Sequence, residues 1–291
     1  ALRKAYEQET PPCSIILMNR VEECAPVRMD APLKLLAARG SVSLTGCMSA
    51  KDTPLELYDV TSMYDSIILF ERANLMPTAN VRQMLAEAAS HGSIVLQEMD
   101  DHPNVNEAAA RDHYFLFRAV SAVQTSTKYL ADYLRKFNPY VYLFENQLVE
   151  LPPARSYEGN ASQVTIFFGA LNRRADWEPL MPSINAAIQE HGDRLYFRVV
   201  SDYAFYQQLR TEHKSYVGGT QDGSVVAPYE RYVEELHSSD IALLPLNDTE
   251  FNRAKSDLKF IEAAGNGAAV LAAPTVYAAT VRDGETGLIY H

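Results

Sequence analysis

Two lysines, a serine and a glutamate lie close together near the end of the chain, in Lys255-Ser-Asp-Leu-Lys-Phe-Ile-Glu262. Leu258, Ile261 and Glu262 fall at helical spacing, and Gly265 and Gly267 mark a stop, so the pattern predicts a helix beginning near Lys255-Ser256. A helix start offers unpaired amides and the positive end of the dipole. With Lys255 and Lys259 beside it, such an end suits an anion, phosphate above all. Glu262 lies two turns along, where a carboxylate would accept hydrogen bonds from the vicinal hydroxyls of a ribose. A diphosphate clamp beside a diol acceptor is the chemistry of nucleotide-sugar recognition. A capped amphipathic helix with its lysines in solvent accounts for the same residues, and the Gly-x-x-x-x-Gly-Lys-Ser/Thr phosphate loop is absent.

Two further groups carry chemistry. The loop Gly169-Ala-Leu-Asn-Arg-Arg174 follows an apolar strand, and its amides with Arg173 or Arg174 would suit a diphosphate. The alternative is two surface arginines in a polar loop. Asp100, Asp101 and His102 follow another apolar strand and would suit acid/base, hydroxyl-binding or metal roles. An Asp-rich turn before Pro103, capping its own backbone, explains them equally well. The remaining histidines share no metal-ligand spacing, so no metal site is expected.

The elements that must position these groups alternate between strand and helix. Apolar runs at 13–18, 41–44, 65–70, 93–97, 120–124 and 140–144 alternate with helical patterns at 31–39, 80–90 and 127–136. The alternation restarts after 163, with strands at 164–168, 195–200, 241–246 and 269–273 and a loop at 225–228. Strands apolar throughout and separated by helices describe parallel sheets covered on both faces. Ligands on such sheets sit at the carboxyl ends of the strands, which gathers Asn19, Arg20, Arg28, Arg72, Asp100, Asp101, His102, Thr125 and Ser126 near one rim. At 291 residues the chain is long for one core and natural for two domains. The expected division is 1–150, a Pro/Gly-rich linker at 151–162, and 163–291.

The net charge of −11 is shared: residues 1–150 hold 14 basic and 19 acidic side chains, the rest 12 and 18. Neither part has a basic face that argues for nucleic acid or a polybasic membrane anchor. No transmembrane-length run or signal pattern is present, and three scattered cysteines suggest reduced thiols in the cytoplasm. The ends, Ala1 and a strand-like Thr286–Tyr290 before His291, read as those of a piece of a longer polypeptide.

Six segments, in order, resemble the bacterial GT-B glycosyltransferases of the large retaining family 4 type that builds surface polysaccharides. They are Arg28-Met-Asp-Ala-Pro-Leu, Ile94-Val-Leu-Gln-Glu-Met-Asp-Asp-His-Pro, Val123-Gln-Thr-Ser-Thr-Lys-Tyr-Leu, Phe168-Gly-Ala-Leu-Asn-Arg, Asn252-Arg-Ala-Lys-Ser-Asp-Leu-Lys-Phe-Ile-Glu and Asp283-Gly-Glu-Thr-Gly-Leu. The resemblance implies an α/β GT-B fold, two Rossmann-like βαβ domains facing each other across a cleft. The acceptor would lie on the first and the nucleotide-diphosphate sugar on the second. It implies donor-binding roles for Gly169, Asn172, Lys255, Ser256, Leu258 and Glu262, and catalytic roles for Asp100, Asp101, Arg173 and Lys259. Arg28, His102 and Ser126 would lie on the acceptor side. Such sites stabilise the departing diphosphate electrostatically, with neither metal nor cofactor. The sequence departs from the pattern at Ala254, where many relatives carry a second glutamate, and at Ala269, where proline is common. The usual C-terminal helix that crosses back to the first domain also lies beyond this chain.

The expected function is transfer of a hexosyl or deoxyhexosyl unit to a glycan or lipid-linked glycan. The expected setting is the cytoplasm or the inner face of the membrane, with peripheral contact or further domains supplied by other parts of the polypeptide. Two alternatives remain open: a non-catalytic nucleotide- or glycan-binding module of a larger assembly protein, and a GT-B-fold nucleotide-sugar epimerase. An NAD-dependent oxidoreductase fits least, since no Gly-x-Gly-x-x-Gly follows a strand.

Overall fold

The computed structural model describes residues 13–21, 24–49, 64–105, 107–156, 162–218 and 226–291. The lead-in 1–12, part of the expected linker (157–161) and Val225 of the expected loop lie outside these residues. The chain divides into two compact units, Ala1–Asn146 and Gln147–His291.

The N-terminal unit holds a six-stranded sheet in the order β2-β1-β3-β4-β5-β6. Its strands are β1 (Cys13–Arg20), β2 (Val42–Ser49), β3 (Ser66–Glu71), β4 (Ile94–Met99), β5 (Ala122–Thr125) and β6 (Val141–Leu143). All neighbours are parallel. Its longer helices are α1 (Ala31–Ala38), α2 (Ala79–Ser90) and α3 (Lys128–Leu134). Thr78 and Thr127 start the last two, each accepting a bond from an amide of the first turn. Helical backbone begins before α1, in a π-helical turn over Pro26–Asp30 that contains Arg28. Met29 and Leu33 carry this continuous segment onto the sheet, packing with Ile15, Leu17, Ala25 and Leu69.

The C-terminal unit holds a second parallel sheet in the order β12-β11-β10-β7-β8-β9. Its strands are β7 (Val164–Gly169), β8 (Leu195–Val200), β9 (Lys214–Val217), β10 (Ile241–Leu244), β11 (Ala269–Ala272) and β12 (Leu288–Ile289). The longer helices are α4 (Met181–His191), α5 (Tyr229–His237) and α6 (Leu258–Gly265). Successive residues of β7 face opposite ways, so Phe167 packs with Leu236 and Ala263 while Phe168 packs with Trp177, Met181 and Phe205. Both faces of this strand are therefore buried, which explains its unbroken apolar run. The Pro-rich segment before it is tied to the same unit: Arg155 pairs with Asp240 at 2.7 Å and also reaches the Ser239 carbonyl.

Among the described residues no helix is long and apolar enough to cross a membrane.

Candidate functional site

In the C-terminal sheet the strand order reverses direction between β7 and β10. The crevice beyond the carboxyl ends of two such strands is where open α/β sheets take ligands. β7 ends there at Gly169. A Cβ on that residue would lie 2.6 Å from ring atoms of both Phe167 and Tyr232, so only glycine admits the Tyr232 ring at this place. The loop that follows turns at Asn172 in the left-handed region (φ 53), which asparagine tolerates well. The turn delivers Arg173, and Arg174 leaves for solvent to pair with Glu178.

Arg173 is held by Asn252, brought from the segment after β10, and by Asp176, three residues along its own segment. Its Nη1 donates to Asn252 Oδ1 at 2.7 Å and to Asp176 Oδ2 at 3.1 Å. The other Asp176 oxygen accepts from the Asn247 amide and from Asn252 Nδ2, at 2.9 and 2.8 Å. Asp176 and Asn252 are both buried. This network orients the guanidinium through one nitrogen and leaves the rest of its fork for an anion with two acceptor oxygens.

Lys259 and Glu262 occupy one face of α6, three residues apart. The Lys259 ammonium donates to the Gly169 carbonyl at 2.6 Å and stands 5.1 Å above the Tyr232 ring. Burial pulls its pKa down to about 8; Glu262 opposes the shift, and the charges of Arg173 and Lys255 add to it. Arg173 and Lys255 are thus both within electrostatic reach of Lys259. Glu262 is 4% exposed and accepts hydrogen bonds from Tyr229 (2.7 Å to Oε1) and Tyr232 (3.1 Å to Oε2). Burial raises its pKa, while Lys259 and the two hydroxyls pull the other way.

One expectation about the helix start needs correction. The helix begins at Leu258, not at Lys255-Ser256. A short helical turn, Glu250–Arg253 with Thr249 as its N-cap, ends first, and the Lys255 amide closes it onto the Asn252 carbonyl. Ser256 and Asp257 then start the next helix, as short polar residues favour, with the Leu258 amide 3.4 Å from Ser256 Oγ. The Lys255 ammonium lies 4.6 Å over the Phe251 ring. The two lysines therefore do not flank one helix end; Lys259 joins the site from inside the first turn. Gly169, Arg173, Lys259 and Glu262 are brought together, while Asn172, Ser256 and Leu258 shape the segments that carry them.

The N-terminal unit assembles its own polar rim. Arg28 is buried, with Nε on Glu98 at 2.8 Å and Nη1 on the Phe144 carbonyl and Asn146 at 2.8 and 2.9 Å. It braces β4 against the chain leaving β6. Asp100 pairs with Arg72, and Asp101 lies 3.8 Å from the same guanidinium. Asp101 also accepts the His102 amide at 2.9 Å, and His102 Nδ1 accepts the Asn104 amide at 3.2 Å. These are the self-capping contacts of an Asp-rich turn, with the His102 ring set against Tyr133 at 4.8 Å. Ser126, beyond β5, is buried beside Thr125, whose hydroxyl holds the Met99 carbonyl at 2.5 Å.

Sequence reasoning missed several partners. Glu98 and Glu71 are fully buried carboxylates, each one residue past a run read as apolar strand. Burial raises the Glu98 pKa, with Asp100 adding to it and Arg28 opposing. Glu71 accepts from the Val21 amide at 2.8 Å and from the Cys24 thiol at 3.2 Å. Tyr229 and Tyr232 sit three apart, a spacing that places both on one helix face and was available as a signal. Asp176 and Asn252 had none, because their pairing spans 76 residues.

Among the described residues no group of three or more His, Cys, Asp or Glu could hold a metal ion.

No protein-family model matches the sequence, and no curated protein matches it either. Solved structures do match in fold. Anabaena HepE in complex with UDP and glucose superposes with a TM-score of 0.61 at 12% identity, over 95% of this chain and 85% of that one. A glycosyltransferase from Rickettsia africae gives 0.59 at 10% identity, over 96% and 84%. TarM gives 0.52 at 10% identity over 78% of this chain, which spans only 45% of TarM. The chain has the fold of these glycosyltransferases: two Rossmann-like α/β domains of the GT-B class.

Proposed function

We propose that this chain is a glycosyltransferase that moves a sugar from a nucleotide-diphosphate donor to a glycan acceptor. The observation that carries the reading is Lys259. A lysine drawn down to about 8 near two further cations, one turn from a buried carboxylate, suits a dianion next to a diol. Arg173 and Lys259 would take the diphosphate and stabilise its departure as charge develops on the leaving oxygen. Gly169 admits the Tyr232 ring and holds Lys259 through its carbonyl, Glu262 receives the ribose hydroxyls, and Asn172, Lys255, Ser256 and Leu258 line the donor segment.

The finer assignments rest on the sequence resemblance. They are a family 4-like, retaining and metal-independent enzyme, a hexosyl or deoxyhexosyl donor, and a glycan or lipid-linked acceptor of bacterial surface polysaccharide or glycoconjugate synthesis. The domain division 1–150 and 163–291, read from the Pro/Gly-rich segment at 151–162, belongs to the proposal, with the acceptor on the first and work in the cytoplasm or at the inner membrane face. On the acceptor side we assign catalytic roles to Asp100 and Asp101 and contact roles to His102 and Ser126. Arg28 supports that rim from within.

Calorimetric titration of UDP, GDP, dTDP and CDP tests the donor site. One of them binds the wild type, and Glu262→Ala weakens it by about 1–3 kcal/mol, the cost of hydrogen bonds lost from a charged group. Failure of all four to bind refutes the reading.

A further inference from the structure

Glu262 is held by two tyrosines that differ in their surroundings. Tyr232 is locked: its ring meets Phe167 edge-on at 5.2 Å and lies against Gly169, and the Lys259 ammonium stands over it. Tyr229, one turn earlier on α5, stacks on Tyr232 at 6.0 Å with the planes 15° apart and makes the shorter bond, 2.7 Å against 3.1 Å. An ionised carboxylate has about four acceptor directions. The two hydroxyls take one on each oxygen, which leaves one on each, the number that a vicinal diol with two donors requires.

We infer, resting on the donor-site reading above, that Tyr229 is a positioning residue that makes Glu262 selective for a ribonucleotide over its 2′-deoxy counterpart. The phenol fixes the carboxylate's rotation and supplies a donor to a group with little access to water. Without it, a carboxylate 4% exposed loses a hydrogen bond to its charged form and moves toward the protonated state, in which one oxygen becomes a donor and no longer receives a hydroxyl. The diphosphate contacts of Arg173 and Lys259 do not pass through Tyr229. Its loss should therefore fall on the 2′-hydroxyl term and spare the phosphate term.

The test is a set of affinities for UDP, GDP and CDP, each paired with its 2′-deoxy form, in the wild type and in Tyr229→Phe. In the wild type the ribonucleotide that binds should exceed its deoxy form by about tenfold or more, roughly 1.4 kcal/mol. In Tyr229→Phe that ratio falls to within about twofold of one, while the affinity for the deoxy form changes by less than about threefold. Tyr229→Met, apolar and of similar reach without a donor, must give the same ratio, so the test stays decisive if one variant unfolds. In a Glu262→Gln background the Tyr229→Phe change must leave the ratio unaltered, since the two residues act as one unit. Equal losses for the ribo and deoxy forms mean a merely structural tyrosine and overturn the inference alone. A wild type that binds both forms equally overturns the inference alone, whereas one that binds none of these nucleotides, nor dTDP, overturns the donor-site reading and the inference with it.

Discussion

Raising the pH from 7 to 9 should weaken nucleoside diphosphate binding by an amount that Lys259 sets. In the free protein this lysine titrates near 8 rather than at its usual 10.5 because it is buried beside Arg173 and Lys255. A bound diphosphate supplies the missing counter-charge and returns the pKa toward its usual value. The sign follows: the charged lysine favours the complex, so affinity is highest below about pH 8 and falls as the free protein loses the proton. With a pKa of about 8, the free site is about nine-tenths protonated at pH 7 and about one-tenth at pH 9. Affinity should drop about tenfold over that interval, about 1.4 kcal/mol, out of roughly 3 kcal/mol available if the full shift is reversed. The terminal phosphate has completed its second ionisation by then, near pH 6, and does not contribute. The neighbouring tyrosines, Tyr229, Tyr232 and Tyr277, are raised by burial and stay protonated throughout. Calorimetry in two buffers of different ionisation enthalpy measures the linked proton directly, with uptake of about half a proton expected at pH 8. Lys259→Arg should flatten the profile, and Lys259→Met should flatten it at lower affinity. Equal wild-type affinities at pH 7 and 9, or an unchanged slope in Lys259→Met, would refute the argument.

Two further outcomes follow from packing and charge. Gly169→Ala drives a methyl to within 2.6 Å of the Phe167 and Tyr232 rings, so it should lower stability by about 1–3 kcal/mol in urea melts and weaken nucleotide binding as Tyr232 shifts. Burial raises Glu98 to about 8, so Arg28→Met strands a buried charge only above that pH, where it should cost about 3–5 kcal/mol. Because burial raises the Glu98 pKa, the loss should shrink as pH falls and the carboxyl protonates; a pH-independent loss in urea melts would show that the pair is not its source.

Much of the fold was legible along the chain because its signals are local. Runs such as Ser66–Phe70 and Val164–Phe168 are short, apolar and separated by helical patterns, and that alternation alone specifies parallel sheets. The helix starts read at 80 and 127 fall within one residue of Ala79 and Lys128, where the Thr78 and Thr127 caps act within three residues of themselves. The start of α6 was misread because the Thr249 cap begins a separate short turn first.

Local pattern along the chain set the segments and the residues they carry: Gly169 and Arg173 after one strand, Lys259 and Glu262 on one helix face, and Asp100 and Asp101 after another strand. Tertiary structure alone decided the state of those residues. Arg173 owes its orientation to Asn252, 79 residues away, and Lys259 its low pKa to burial against the Gly169 carbonyl, 90 residues away. Glu262 owes its geometry to tyrosines on a different helix, and Arg28 became a buried brace only because Glu98, Phe144 and Asn146 close over it. Hydrogen-bond partners and desolvation belong to contacts between distant segments, and spacing along one segment carries no record of them.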